Sequence, residues 1–245
     1  GMNSRQLTAW IVDGNGGKLM REFYAKYNII NLMGGNTGAQ MGGWFRKEVK
    51  TPADIKGLKF RVGGLAGKII ERMGGVPQNI PGGEIYQALE KGTIDAAEWI
   101  GPYDDQKLGI NKVAPFYYYP GWWEGSLNLE FYINDKAFNA LTPEYKAIVQ
   151  AAAHEAHVVT QARYDARNPA ALKQLVGAKT KVLPFPPSVM DASFKTTMEV
   201  YGELAASNPD WKKIYTDYRN FQRDQVLWFR FAEGSFDTFM QRQKL

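Results

Sequence analysis

One arginine stands inside an apolar strand, where burial is expected. Arg61 lies between Phe60 and Val62 in a segment, 58–62, whose composition predicts a β-strand. A guanidinium keeps its proton in such a place, so burial requires an anionic partner. A side chain of this kind can grip a carboxylate or a phosphate through two parallel hydrogen bonds.

A glutamate is placed to meet this arginine. Segments 58–62, 76–80 and 94–98 read as strands separated by helical segments, which predicts a parallel sheet with right-handed crossovers. In the usual order the first strand lies between the other two, so Arg61 and Glu98 come together at the crevice where open α/β sheets bind ligands. Two interpretations stay open here, an internal Arg61–Glu98 salt bridge and a clamp on an anionic ligand.

A second carboxylate stands in apolar surroundings. Glu124 directly follows Trp122 and Trp123, within an aromatic run that begins at Phe116. The run is more typical of core packing than of a binding wall. Burying a carboxylate among large apolar side chains costs free energy unless a cation pairs with it.

Other motifs favour structure over chemistry. His154 and His157 are three residues apart, one short of the metalloprotease spacing, and we predict that they lie on a solvated helix face. Residues 63–69 imitate a phosphate-binding loop, but their spacing is one residue short and Ile69 replaces the hydroxyl that would bind magnesium, which indicates a plain strand-to-helix turn. No pattern supports a hydrolase triad.

Composition narrows the class of protein. The chain has 245 residues, 44% hydrophobic and 22% charged, enough for one large domain or two small lobes. No apolar run approaches the ~20 residues of a membrane-spanning helix. The absence of cysteine excludes disulfides, zinc-thiolate sites and cysteine nucleophiles. A net charge of +5 is a mild bias toward anionic partners and does not argue for nucleic acid.

The remaining segments predict a mixed α/β chain. A hydroxyl N-cap, a proline and an acid at 51–54 mark a helix start. Alternating apolar residues at 127–133 predict a half-buried strand. A long helix starts at Thr142, with a kink or a restart at Pro169 and an end at Gly177. We also predict two helices with a strand at 28–33 near the N-terminus, a break at 34–38, a loop-rich stretch at 101–125, a strand at 180–185 and helices after it.

The C-terminal segment is rich in large aromatic side chains. Five apolar residues share one helical face: Trp211, Ile214, Tyr215, Tyr218 and Phe221. Trp228, Phe229 and Phe231 follow. This face packs either on the chain's own core or, in the alternative interpretation, against a second molecule.

Three motifs together resemble the DctP family. They are GNTGAQMGGWF at 35–45, KGLKFRV at 56–62 and GTIDAAEW at 92–99, and the resemblance extends over essentially the whole chain. This family provides the extracytoplasmic solute-binding subunits of TRAP transporters. The similarity is greatest to the branch that binds 2-oxo acids, lactate and related small monocarboxylates.

The resemblance implies a two-lobed α/β fold of the type II-like periplasmic-binding-protein class. Lobe one would comprise 1–38 and a return at 125–142, and would be incomplete. Lobe two would be 39–124, and the lobe-spanning helix 143–177. A strand and helix at 178–206 would complete the lobes, and 207–245 would form an aromatic C-terminal dimerisation helix. Family members carry a further segment before the position of Met2, and this chain is expected to lack it.

The resemblance also implies the site. Arg61 would hold the substrate carboxylate, with Asn36, Gln40 and Trp99 as further substrate contacts. The cation site would use Gln40, Glu98, the backbone carbonyl of Trp99, and Glu124. All-oxygen ligands suit sodium or calcium and argue against zinc or copper.

The functional expectation is a periplasmic receptor without catalysis. It would bind a small carboxylate together with a cation, deliver it to the TRAP membrane permease subunits, and form a homodimer through the C-terminal helix. One alternative is a metal-assisted lyase or aldolase acting on oxo acids, which would need a general base that the motifs do not offer. A ligand sensor that docks to a receptor is the other alternative.

Overall fold

The structure is a computed structural model and describes residues 1–243. Its helices are α1 (Ser4–Val12), α2 (Gly16–Ala25), α3 (Gly64–Arg72), α4 (Ile85–Glu90), α5 (Pro102–Leu108), α6 (Asp135–Asn139), α7 (Pro143–Gly177), α8 (Pro187–Ser207), α9 (Pro209–Phe231) and α10 (Glu233–Met240). Its strands are β1 (Ile29–Asn36), β2 (Gly43–Phe45), β3 (Lys59–Arg61), β4 (Val76–Gln78), β5 (Ala96–Ala97), β6 (Phe116–Tyr119), β7 (Asn128–Asn134) and β8 (Lys181–Pro184). Short 3₁₀ turns lie at Pro52–Ile55, Gly82–Glu84 and Ile110–Lys112.

Two sheets define two lobes, as predicted. A six-stranded sheet has the order β4-β3-β5-β2-β6-β8, and β1 pairs with β7 in a separate two-stranded sheet. The strand β3 lies between β4 and β5 and is parallel to both, which confirms the predicted parallel unit. The division of the chain at residues 38, 124, 142, 177 and 206 stays a prediction.

The larger sheet contains both parallel and antiparallel strands, and the sequence did not predict two of them, β2 and β6. The strand β2 runs antiparallel between β5 and β6, and β6 falls in the stretch predicted to be loop-rich. Trp44 and Tyr117 face one core, while Phe45 and Tyr118 face the other. Both faces of these strands are buried, so the sequence lacks the alternation that marks a half-buried strand.

The smaller sheet corrects two predictions. The expected break at Gly34 and Gly35 lies inside β1, which bulges between Met33 and Gly35 opposite β7. A Cβ on Gly34 would lie 2.3 Å from the ring of Phe131, so glycine lets the strand pass this side chain. The strand β7 exists as predicted, but Leu129 and Phe131 are exposed. Within residues 1–243 β7 pairs only with β1 and so forms an edge.

The helix α7 joins the two lobes. Its 35 residues run without interruption through Pro169, a length of about 52 Å at about 1.5 Å per residue. Ala153 packs in the core under β1, and Leu175 packs in the core of the larger sheet. Within the described chain no helix combines the length and apolar character needed to cross a bilayer.

The two histidines of α7 differ, which corrects the predicted solvated face. His154 is exposed, whereas His157 is buried. The Nδ1 of His157 lies 3.1 Å from the carbonyl oxygen of Gly35, and its Nε2 lies 3.1 Å from Thr8 Oγ1. His157 therefore ties α1 and β1 to the long helix.

The aromatic face of α9 packs on its own chain. The ring of Tyr218 meets that of Trp10 edge-on at 5.2 Å, and its hydroxyl accepts a 2.8 Å hydrogen bond from the Met2 amide. Trp211 and Tyr215 both pack against Tyr201 of α8. Of the two interpretations of this face, the intramolecular one is confirmed.

Candidate functional site

Arg61 lies at the carboxyl end of β3, next to the end of β5. Its Nη1 donates to the carbonyl oxygen of Glu98 at 2.6 Å and to Glu98 Oε2 at 3.2 Å. Its Nε donates to the carbonyl oxygen of Ile80 at 3.3 Å. Of the two interpretations left open by the sequence, the internal Arg61–Glu98 salt bridge is therefore present. It leaves Nη2 without a protein acceptor among residues 1–243, and 17% of the side chain is exposed.

The guanidinium also lies over an aromatic ring. Its central carbon is 5.2 Å from the ring centroid of Trp99. A Cβ on Gly82 would lie 2.4 Å from that ring, so the close approach of the backbone at Gly82 holds the indole in place. Arg61 is thus oriented by Glu98, by the carbonyl oxygen of Ile80 and by the ring of Trp99, which leaves the two N–H groups of Nη2 for a ligand.

Two acidic side chains meet at the carboxamide of Gln40. With its Nε2 toward them, Gln40 donates to Glu124 Oε2 at 2.5 Å and to Glu98 Oε1 at 3.1 Å, while its Oε1 accepts from Thr37 Oγ1 at 3.1 Å. In the opposite orientation Nε2 donates to Thr37 Oγ1 at 3.1 Å, and Oε1 takes the place beside the carboxylates. That second orientation gathers oxygen atoms from three side chains, which repel one another unless a cation lies among them.

Burial makes the two carboxylates hard to ionise together. It raises the pKa of Glu98 to about 8, with a further rise from the negative charge of Glu124 and an opposing effect of Arg61. Burial raises the pKa of Glu124 to about 7, again opposed by Arg61. One arginine does not balance two buried acids. A bound cation would supply the missing positive charge.

The donor set fits a hard cation. Carboxylate oxygens come from Glu98 and Glu124 and an amide oxygen from Gln40, and no protein hydrogen bond within the described chain reaches the carbonyl oxygen of Trp99. Oxygen ligands of this kind suit calcium or sodium. No group of three or more His, Cys, Asp or Glu side chains within 1–243 is arranged to hold a metal, so neutral oxygens would complete the set.

Backbone hydrogen bonds hold these residues in place. The amide of Gln40 donates to the carbonyl oxygen of Glu124 at 3.1 Å, and the amide of Gly121 donates to that of Gln40 at 2.9 Å. The amide of Glu98 donates to the carbonyl oxygen of Arg61 at 3.0 Å. The amide of Met41, which donates to the carbonyl oxygen of Ile100 at 3.1 Å, links these two pairs into one layer at the end of the sheet.

A cavity of about 510 Å³ opens beside this layer. Its polar lining includes Gln40, Arg61, Glu98 and Glu124, so these four predicted site residues are brought together. The other lining residues are Val62, Gly63, Gly64, Leu65, Ala66, Ile69, Trp99, Ile100, Trp123, Leu127 and Tyr201. The wall carries one cationic and two acidic side chains on an otherwise apolar surface, which suits a small anion bound with a cation.

Asn36 is not brought to the cavity wall. Its side chain is fully buried, its Oδ1 accepts from the Gly38 amide at 2.8 Å, and its Nδ2 has no partner among the described residues. A direct contact between Asn36 and a ligand stays a prediction.

Sequence reasoning missed several lining residues. Tyr201 lies on α8, far along the chain from the other lining residues, and no local sequence pattern predicts that it lines the cavity. Trp123 reads as core filler in an aromatic run, yet it lines the cavity. Gly63 and Gly64 form the predicted strand-to-helix turn, with Gly64 at a φ of +58°. They add to the cavity wall as well.

The fold and the site are those of a two-lobed solute-binding protein. The chain belongs to the DctP family, bacterial extracellular solute-binding protein family 7, whose profile matches residues 1–208. A solute-binding family of this kind is a family of receptors and not of enzymes.

Individual relatives agree with this assignment. The chain is 44% identical over 239 residues to a monocarboxylate 2-oxoacid-binding periplasmic protein of Nostoc sp., covering 98% of this chain and 66% of that protein. It therefore spans slightly less than two thirds of the length of this relative.

Two solved structures are also similar. A TRAP transporter solute-binding protein from Bordetella bronchiseptica is 53% identical to this chain, with a TM-score of 0.96. The match covers 98% of this chain and 71% of the chain of that protein. That structure is described as a mixed-occupancy dimer with copurified calcium and picolinate. One from Pseudoalteromonas atlantica, with sodium and pyruvate bound, has 38% identity and a TM-score of 0.93, covering 100% of this chain and 74% of its own.

Proposed function

We propose that this protein is the extracytoplasmic solute-binding subunit of a TRAP transporter, and that it binds a small monocarboxylate of the 2-oxo acid type together with calcium or sodium. The observation that carries the proposal is that Nη2 of Arg61 has no protein acceptor among the described residues and lies beside two buried carboxylates that need a cation. The ligands described for the relatives, pyruvate and picolinate, have the same chemistry, a carboxylate with a neighbouring acceptor atom.

The residues take distinct roles in this proposal. Arg61 binds the ligand carboxylate through the two N–H groups of Nη2, as charge-assisted hydrogen bonds. Gln40, Glu98, the carbonyl of Trp99, and Glu124 hold the cation, which when bound adds positive charge for the ligand's second oxygen. Asn36 is a further proposed contact of the ligand, since its buried Nδ2 has no partner among the described residues.

A binding function is favoured over the lyase or aldolase alternative by the chemistry of the cavity. No histidine or lysine lines it. Glu98 is paired with Arg61, and in this proposal both acidic side chains are engaged with the cation rather than free to take a proton from substrate. Purified protein is expected to leave pyruvate and oxaloacetate unchanged.

Calorimetry tests the proposal directly. Pyruvate, lactate and longer 2-oxo acids are titrated into the protein in the presence of calcium, of sodium, or of a chelator in a sodium-free buffer. We expect saturable binding of at least one acid that depends on the cation. No heat across the whole panel would contradict the proposal.

The partners follow from the same role. A receptor that captures its ligand outside the cytoplasm must pass it to a membrane permease, and we place this chain in the periplasm on that argument. Uptake of labelled pyruvate by cells that contain the permease subunits but lack their receptor should be restored by this protein. If the purified protein binds pyruvate but does not restore uptake in these cells, the sensor alternative is favoured.

We further propose a homodimer through the C-terminal segment. The end of α9 and the helix α10 carry exposed apolar side chains: Val226, Leu227, Trp228, Phe231, Phe236 and Phe239. A cluster of this size is more hydrophobic than an ordinary surface. A second copy of the same chain is the proposed occupant, and the relative from Bordetella bronchiseptica is described as a dimer.

A further inference from the structure

A buried aspartate outside the cavity accepts hydrogen bonds from four donors. Asp105 lies on α5 and is 1% exposed. Its Oδ1 accepts from the backbone amides of Ile100 and Gly101, both at 3.0 Å. Its Oδ2 accepts from Trp44 Nε1 at 2.9 Å and from the Tyr117 hydroxyl at 2.8 Å. Each carboxylate oxygen thus receives two bonds.

The two oxygens connect different parts of the protein. Trp44 and Tyr117 are fully buried on β2 and β6, and their rings stack at 3.8 Å. They form a rigid side of the core. Ile100 and Gly101 belong to the irregular segment that follows β5. Asp105 therefore fastens a segment without regular structure to the best-packed part of the sheet.

That segment carries the candidate ligands. Glu98 and Trp99 immediately precede Ile100, whose carbonyl oxygen accepts from the amide of Met41 at 3.1 Å. Met41 in turn follows Gln40. The segment 98–101 is held at its start by the Glu98–Arg61 backbone bond, in its middle by Met41, and at its end by Asp105.

We propose that Asp105 is a positioning residue that fixes segment 98–101 so that the Glu98 carboxylate and the Trp99 carbonyl are held ready for a cation. The inference rests on the proposed function and names a residue that acts through others. Ligating groups held in place before binding lose less conformational freedom on binding, which increases affinity. Loss of a residue that orients metal ligands typically lowers affinity about 10–100-fold.

The same carboxylate provides a matched control. Asp105→Ala removes the acceptor of both segment amides. Tyr117→Phe removes one donor to Oδ2 only, and leaves the bonds from Ile100 and Gly101 intact. Both changes affect a buried hydrogen bond and lower stability. Only the first releases the segment.

Two measurements on the full chain test the proposal. Hydrogen–deuterium exchange of the ligand-free protein reports the amides of residues 100–101, and calorimetry reports the affinity for calcium alone and for pyruvate with calcium. We expect Asp105→Ala to lose protection of these amides and about tenfold or more in calcium affinity. Tyr117→Phe should keep the protection and bind within about twofold of the wild type.

The outcomes separate the two proposals. A wild-type protein that binds neither probe contradicts the proposed function. Wild-type binding with equal affinity in Asp105→Ala overturns the positioning role, and so does an equal loss of affinity in both variants. If Asp105→Ala does not fold, Asp105→Leu decides, because leucine has the shape of the aspartate side chain and offers no acceptor to the amides of Ile100 and Gly101. Its affinity should fall several-fold with the same loss of amide protection, and wild-type affinity would overturn the proposal.

Discussion

Nη1 of Arg61 donates at once to the carbonyl oxygen and to the Oε2 of Glu98, at 2.6 and 3.2 Å. Both bonds come from Nη1, so the two N–H groups of Nη2 have no acceptor among the described residues, and Glu98 turns its other oxygen, Oε1, toward Gln40. The ion pair therefore orients Arg61 without occupying it fully. A protein ion pair and a ligand clamp are compatible in this geometry.

The first prediction concerns Arg61. Arg61→Ala should lower the affinity for pyruvate about a hundredfold or more, because it removes two charge-assisted bonds whose combined loss is about 3 kcal/mol. Arg61→Lys keeps the positive charge but loses the planar guanidinium with its fixed N–H donors, and the affinity for pyruvate should fall about tenfold. Calorimetry with calcium present measures both. Arg72→Ala, which removes an exposed ion pair with Glu203, is the control, and its affinity should not change.

The second prediction separates stability from binding at Glu124. Glu124→Gln removes a carboxylate whose pKa burial raises to about 7, and whose negative charge raises the pKa of Glu98. Above pH 7 the ligand-free variant should therefore unfold at a higher temperature than the wild type, by about 2–4 °C for each 1 kcal/mol.

Calcium should stabilise the wild type and leave Glu124→Gln nearly unchanged, because a ligand stabilises only the form that binds it. Thermal unfolding with and without calcium measures this. Glu71→Gln changes an exposed carboxylate on α3 and should behave as the wild type does. A variant that is less stable and still responds to calcium would contradict the assignment of Glu124 as a ligand.

The parallel unit could be predicted because its signals are local. Glycine and proline mark the ends of short strands and helices in this part of the chain. The usual order of three parallel strands then places Arg61 beside Glu98. The strands β2 and β6 gave no such signal. Their residues are buried on both faces, and only the assembled sheet shows why Trp44 and Tyr117 are needed.

The cation site depends on contacts that no spacing rule supplies. Gln40 and Glu124 lie far apart along the chain and meet through a backbone hydrogen bond between them. Family resemblance pointed to both residues, whereas the apolar surroundings pointed only to Glu124. Asp105 gave no signal in either way, since an acid in the first turn of a helix is commonly a favourable charge at the helix terminus. Its four donors come from three different elements.

The third prediction concerns His157. Burial lowers the pKa of this histidine from its ordinary 6.5, the charge of His154 adds to the effect, and the hydrogen bond with the Gly35 carbonyl opposes it. In the unfolded chain the imidazole takes a proton more readily than in the folded one. Stability is therefore full above pH 6.5 and falls as the pH drops from there toward the lowered folded pKa.

Thermal unfolding at pH 7.5 and pH 5.5 should show this loss. The melting temperature should therefore be lower at pH 5.5 than at pH 7.5, and His157 should account for part of this difference. His157→Gln can still donate to Gly35 and accept from Thr8 but does not titrate, so the difference in melting temperature between the two pH values should be smaller than in the wild type. His154→Gln, at the exposed position one turn away, should keep it. An equal shift in both variants would contradict the role given to His157.

The last prediction concerns assembly. Light scattering of the wild type should give about twice the 27.6 kDa of one chain, because Trp228 and Phe231 are exposed and Phe231 retains 70% of its surface. The double variant Trp228→Glu/Phe231→Glu places two charges in the proposed interface and should give the mass of a monomer with unchanged pyruvate affinity, since neither residue lines the cavity. Val158→Glu changes an exposed apolar residue on α7 and should leave the mass unchanged. If the wild type is a monomer, the C-terminal segment is not a dimer interface. If Val158→Glu dissociates the dimer instead, the interface lies on the long helix.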